Sequence, residues 1–117
     1  MKGSGKPLRQ FIYSKDLARL MMWSLLVYDK KKNIILSPTE EISIKDVAEK
    51  IADKFDYRNK IKFLNNYADG QYRKTIDNSY LLGELKNNWG KFNFTPINDG
   101  LSNTIDWFKN NYKYCRK

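Results

Sequence analysis

Residues 3–14 read GSGKPLRQFIYS, and the fold turns on what this stretch leads into. Two glycines, a proline and the cations Lys6 and Arg9 stand before the apolar, β-leaning triplet Phe11-Ile12-Tyr13. That pattern predicts a loop followed by a short strand over 10–13. Ser14 is then placed as an N-cap, with Asp16 in the first turn, where a carboxylate meets the positive end of a helix. Leu17, Leu20, Met21, Ser24 and Val27/Tyr28 recur at helical spacing, so 15–28 is expected to be a helix with a broad apolar face. The lysines at 30–32 and Asn33 close it.

The same alternation continues downstream. Ile34-Ile35-Leu36 reads as a short buried strand stopped by Ser37-Pro38. Ser43 with Asp46 resembles a capping box, Asp standing in for the usual Glu. Ile44, Val47, Ala48, Ile51, Ala52 and Phe55 follow as the clearest amphipathic stripe of the chain. Residues 60–64 suggest a further strand, 65–75 a polar loop around Asp69-Gly70, and 78–86 a short helix capped by Asp77 or Asn78. Thr95-Pro96 opens a last helix with proline at its first position, and its expected buried stripe is Ile97, Leu101, Ile105, Phe108 and Tyr112. Helices alternating with short strands indicate a small α/β unit.

Composition bounds the chemistry. With 117 residues, 41% hydrophobic and 15% aromatic, the chain is expected to form one domain, 1–117, with a single modest core. The longest apolar runs fall well short of the ~18 residues of a membrane span, and MKGSGKPLRQ has no apolar core of a signal peptide. The lone Cys115 forms no internal disulfide, and a reducing cytoplasm is the expected setting. Histidine is absent, which removes the commonest general base and a common metal ligand together. The net charge of +9 invites nucleic acid, and Tyr72 beside Arg73-Lys74, with Tyr112, Tyr114 and Arg116-Lys117, mixes aromatics with cations. Most cations, however, are interleaved with acids, as in KDVAEKIADK, which favours a solvated surface.

Three stretches could carry chemistry. Gly3 and Gly5 permit close backbone approach to a ligand, and Arg9 offers a planar fork suited to phosphate. GSGK lacks the spacing of a phosphate-binding P-loop. Asp69-Gly70-Gln71-Tyr72-Arg73-Lys74 sets an acid on a glycine turn before two cations, able to meet a hydroxyl and a phosphate. Tyr28 and Lys32 match the Tyr-x-x-x-Lys spacing in which an ammonium lowers a phenol pKa. Because they fall at a helix end inside a lysine run, they are set aside as catalytic groups.

Four blocks, GSGKPLRQFIYSKDLARLMMW, NIILSPTEEISIKDVAEKIAD, DGQYRKTIDNSYL and FTPINDGLSNTIDWFKNNY, together resemble the C-terminal portion of the GDP-L-fucose synthase family. Its members are extended short-chain dehydrogenase/reductases of the NAD-dependent epimerase/dehydratase group. The resemblance implies a small substrate-binding lobe, about four helices with short strands, lacking the Rossmann half. It implies substrate contacts from Arg9 (the diphosphate), Asp69, and Lys74 (the nucleotide). In the family a tryptophan that contacts substrate precedes the first glycine; here the position is Lys2. The family's glycine-rich cofactor fingerprint and its catalytic serine, tyrosine and lysine have no counterpart in this chain, so the expectation is a protein that begins mid-domain. NADP(H) is then the cofactor of the complete family enzyme, with none bound by this chain alone. Expected partners are a GDP-sugar and a separate Rossmann-fold half or a full-length relative. A small basic nucleic-acid-binding or non-enzymatic interaction domain is the alternative.

Overall fold

The computed structural model describes residues 1–116; Lys117, the last cation of the basic tail, lies outside them. Four helices carry the chain: α1 (Ser14–Leu26), α2 (Ile44–Asp53), α3 (Ser79–Asn88) and α4 (Ile97–Asn111). Two short strands, β1 (Leu8–Arg9) and β2 (Ile42–Ser43), pair antiparallel, with Leu8 opposite Ser43 and Arg9 opposite Ile42. Isolated parallel bridges join Lys2 to Leu64 and Leu8 to Arg73. The result is the α/β arrangement expected from the alternation of elements.

The core lies between α1 and α3. Leu20 and Trp23 of α1 meet Leu81 and Leu85 of α3, and Ile12, Ile34, Leu36, Trp89, Phe92 and Phe94 close around them. Aromatic rings continue the packing outward. Trp23 stacks on Trp89 at 6.3 Å, Trp89 meets Phe92 edge-on at 5.2 Å, and the Arg19 guanidinium lies 5.1 Å from the Phe92 ring, a favourable cation–π distance.

Local chemistry explains the helix starts. The Asp46 N–H of α2 donates to the Ser43 hydroxyl at 2.9 Å, so the Ser43 cap forms, while the Asp46 carboxylate takes that hydroxyl at 2.7 Å instead of the Ser43 backbone N–H that would complete a capping box. Two more amides at this helix end find partners in the opening loop: Ile44 N–H bonds Pro7 O at 3.0 Å and Lys45 N–H bonds Gly5 O at 2.8 Å. The loop thus satisfies donors that a helix start leaves without internal partners. Helix α3 starts at Ser79, whose N–H donates to Asp77 at 2.9 Å. The Asn78 side chain turns inward, to Ser37 O at 2.8 Å and the Thr39 hydroxyl at 3.0 Å.

Several expectations shift. The first strand is Leu8–Arg9 instead of 10–13, because the capped start of α2 fixes Ser43 and the ladder runs back from it. Helix α1 is preceded by Tyr13 rather than capped by the Ser14 side chain, and the buried Asp16 accepts the Thr95 N–H at 2.6 Å. Ile34–Leu36 forms no strand: Ile34 and Leu36 pack inward while Ile35 is exposed, and no backbone ladder reaches them among the described residues. Residues 60–64 yield a 3-10 turn at Arg58–Lys60 and the single bridge at Leu64. On α4 Ile105 is buried as expected, while Phe108 and, just past the helix end, Tyr112 stand exposed with their rings edge-on at 5.4 Å. Ala52 is the buried residue of α2.

Candidate functional site

The opening loop and the Asp69 loop lie side by side. Gly3 N–H donates to Leu64 O at 3.1 Å, and Leu8 N–H donates to Tyr72 O at 2.8 Å. Between these backbone links, Ser4 donates to Asp69 twice, from its N–H and from its hydroxyl, each at 2.5 Å. The Ser4 hydroxyl and N–H hold the Asp69 carboxyl below the usual carboxylate range. Gly3 is required for this approach: its φ is +84°, and a β-carbon there would stand 2.6 Å from the Asp69 carboxylate.

Arg9 bridges both loops. Its Nη1 donates to Leu8 O at 2.6 Å and its Nη2 to Gln71 O at 2.9 Å, leaving most of the five guanidinium N–H donors unused. Lys74 is exposed and has no hydrogen-bond or ion-pair partner among the described residues. Its neighbour Arg73 is paired along one edge: the guanidinium meets Glu41 from Nε at 2.9 Å and Nη2 at 2.6 Å. Lys2 lays its ammonium 4.9 Å from the Tyr67 ring. The structure therefore brings Arg9, Asp69 and Lys74 onto two adjoining loops, with Asp69 bonded to Ser4 and Arg9 supplying an inter-loop brace.

What can such a cluster do? An exposed ammonium and a guanidinium with spare donors on a fixed backbone suit a polyanion such as a diphosphate. The cluster's acid, Asp69, is held by two Ser4 donors and its pKa is lowered, which makes it a weak base. The Tyr28/Lys32 pair is no better placed. The Tyr28 hydroxyl donates to Lys32 O at 2.5 Å and lies 3.1 Å from the Tyr80 hydroxyl, and the Lys32 ammonium sits over the Tyr80 ring at 3.9 Å. Burial, aided by the Tyr80 hydroxyl, pushes the Tyr28 phenol up to about 12, the wrong direction for a proton donor near neutral pH. Among the described residues no three His, Cys, Asp or Glu side chains gather to hold a metal. The residues present do not fit a dinucleotide either: Gly3 faces Asp69 and Gly5 packs against Phe63 and Lys45, so neither opens a cradle for a pyrophosphate.

Sequence reasoning missed Ser4 and Glu41, the two residues that lock these loops. Their partners lie 65 and 32 residues away in the chain, so no local pattern announces them.

No family model matches the chain. A GDP-L-fucose synthase of Dictyostelium discoideum is 44% identical over 117 residues, covering 98% of this chain and 35% of that protein. The crystal structure of a GDP-L-fucose synthetase from Naegleria fowleri bound to NADP superposes with a TM-score of 0.91 at 39% identity, covering 100% of this chain and 36% of the other. A dTDP-glucose 4,6-dehydratase from Bacillus anthracis, in complex with NAD, shares the fold at a TM-score of 0.80 with 16% identity, over 97% of this chain and 35% of its own. The chain thus spans about a third of the length of the relatives it matches. At that identity along nearly its whole length, the chain belongs with the GDP-L-fucose synthases, matching the C-terminal part of their extended short-chain dehydrogenase/reductase fold.

Proposed function

We propose that this chain is the GDP-sugar-binding lobe of a GDP-L-fucose synthase-like enzyme, an NADPH-dependent 3,5-epimerase/4-reductase acting on GDP-4-keto-6-deoxy-D-mannose. The observation that carries the reading is the bracing of Arg9 against the loop that bears Asp69 and Lys74. In this reading Arg9 meets the diphosphate with its unused donors, and Lys74 adds a second cation for the nucleotide. Asp69 sets the loop through Ser4 and keeps lone pairs for a sugar or ribose hydroxyl. The hydride, the acid and the bases come from a Rossmann-fold portion, so the chain alone binds but does not react. A cytoplasmic setting suits a nucleotide-sugar substrate.

The outer face of α1 is the seat for that portion. Met21, Met22, Leu25 and Leu26 of α1, with Val27 just past its end, are 47–77% exposed, and Met22, Trp23, Leu26 and Val27 line an open apolar groove of about 550 Å³ with Trp89. Apolar surface gathered this way marks an interaction site, and the relatives carry roughly twice this chain's length beyond the matched region.

A titration of the purified chain with GDP, followed by amide NMR shifts, tests the assignment. Weak, salt-sensitive binding is expected, with shifts centred on the 3–9 and 69–75 loops. Lys74→Ala should weaken it roughly tenfold, the usual loss for a charge-assisted contact. Equal affinity in Lys74→Ala would remove that lysine from the site.

A further inference from the structure

Glu41 is a charged residue whose side chain is only 13% exposed. Its carboxylate takes the Arg73 Nε at 2.9 and 3.2 Å, the Arg73 Nη2 at 2.6 Å, and the Thr75 hydroxyl. Those donors, the Arg73 guanidinium first, hold its carboxyl below the ordinary range. The strand register explains why they meet. Leu8 lies opposite Ser43 in the antiparallel pair and beside Arg73 in the parallel bridge, which sets Gln10 opposite Glu41. Side chains alternate along extended chains. Leu8, Gln10, Glu41, Arg73 and Thr75 therefore share one face, and Arg9 and Lys74 share the other. Gln10 pins the same strip independently: its amide donates to Pro38 O at 2.8 Å and accepts the Ile76 N–H at 2.9 Å.

We infer that Glu41 is a positioning residue for the Arg9/Lys74 pair, acting through Arg73. By pairing with the Nε/Nη2 edge of Arg73 on the far face of the strip, it turns that cation away from the ligand face and fixes the register that sets Lys74 beside Arg9. This rests on the GDP-sugar reading of the two loops. It assigns the adjacent cations Arg73 and Lys74 opposite tasks, structure and binding.

Two measurements on the full chain test it: exchange of the Leu8 amide, which donates to Tyr72 O, and the Kd for GDP. Glu41→Gln should speed Leu8 exchange and raise the Kd roughly three- to fivefold, as losing an ion pair of this type implies. The reversed pair Glu41→Arg/Arg73→Glu should recover most of both losses, since it restores the fork with its ends exchanged. If the reversed pair binds GDP no better than Arg73→Glu alone, Arg73 is itself a ligand contact and the proposal fails. Unchanged Leu8 exchange in Glu41→Gln, with GDP binding intact, overturns the positioning role alone. A wild-type chain that shows no response to GDP overturns the site reading and this inference with it.

Discussion

A methyl group at position 5 would stand 2.8 Å from the Phe63 ring and 3.0 Å from the Lys45 β-carbon, on a backbone with φ of +75°. Gly5→Ala should therefore lower stability by at least about 1–3 kcal/mol, the cost of a left-handed non-glycine residue before any clash. A β-carbon on Gly83, inside α3, would point into open space, and its φ is not positive. There the same substitution should raise stability by about 0.5–1 kcal/mol through helix propensity. Opposite shifts of the urea midpoint in the two variants are the expected outcome, and equal shifts would mean that the opening loop is not packed against α2 as described. At this scale the sequence exposed residue types but not their tasks. Arg9 and Lys74 were legible as phosphate-suited cations and Asp69 as a partner for a hydroxyl, because charge and glycine are local features; their grouping as substrate contacts came from the family resemblance. That Asp69 holds Ser4 and that Glu41 holds Arg73 was not, since each depends on a fold-made meeting across the chain.

Helices were legible because their burial pattern repeats within the element itself. All four lie within a few residues of their expected spans, and the Ser43/Asp46 cap sits where its pattern placed it. Strands fared worse for a physical reason: a ladder needs a second chain segment, and no local sequence states which one arrives. Ile34–Leu36 has the β-branched composition and the in-out alternation of a strand yet meets no partner among the described residues. Helix α1 shows the complementary limit, since an apolar stripe encodes burial without saying by what. Its inner residue Leu20 is fully buried, whereas Leu26 is 74% exposed. Leu20→Ala should cost about 2–5 kcal/mol in the chain itself. Leu26→Lys should change its stability by less than about 0.5 kcal/mol, because the side chain touches little here. If the outer face of α1 is an interface, Leu26→Lys should instead abolish association with a Rossmann-fold portion. A Leu26→Lys chain that associates normally would move the docking surface elsewhere.

The dimensions of the whole molecule point the same way. A self-sufficient domain of this length should have a radius of gyration near 13 Å, whereas this chain has 17.0 Å over extents of 48 × 35 × 23 Å. Its accessible surface is 8938 Å², against about 6,700 Å² expected for its mass. The surplus, roughly 2,000 Å², exceeds the ~800 Å² that each partner contributes to a standard interface. Such a shape suits one layer of a larger fold, and it accounts for the small number of fully buried side chains. Association with a partner that binds only the folded form must then raise the melting temperature in a concentration-dependent way. Mixing the chain with the remaining N-terminal portion of a GDP-L-fucose synthase relative, produced separately, should give a one-to-one complex. NADPH oxidation with GDP-4-keto-6-deoxy-D-mannose should occur in the mixture and in neither part alone. Turnover by the purified chain would show that the chemistry does not reside in the other portion. A mixture that neither associates nor reacts, with both parts folded, would show that the surplus surface serves some other contact.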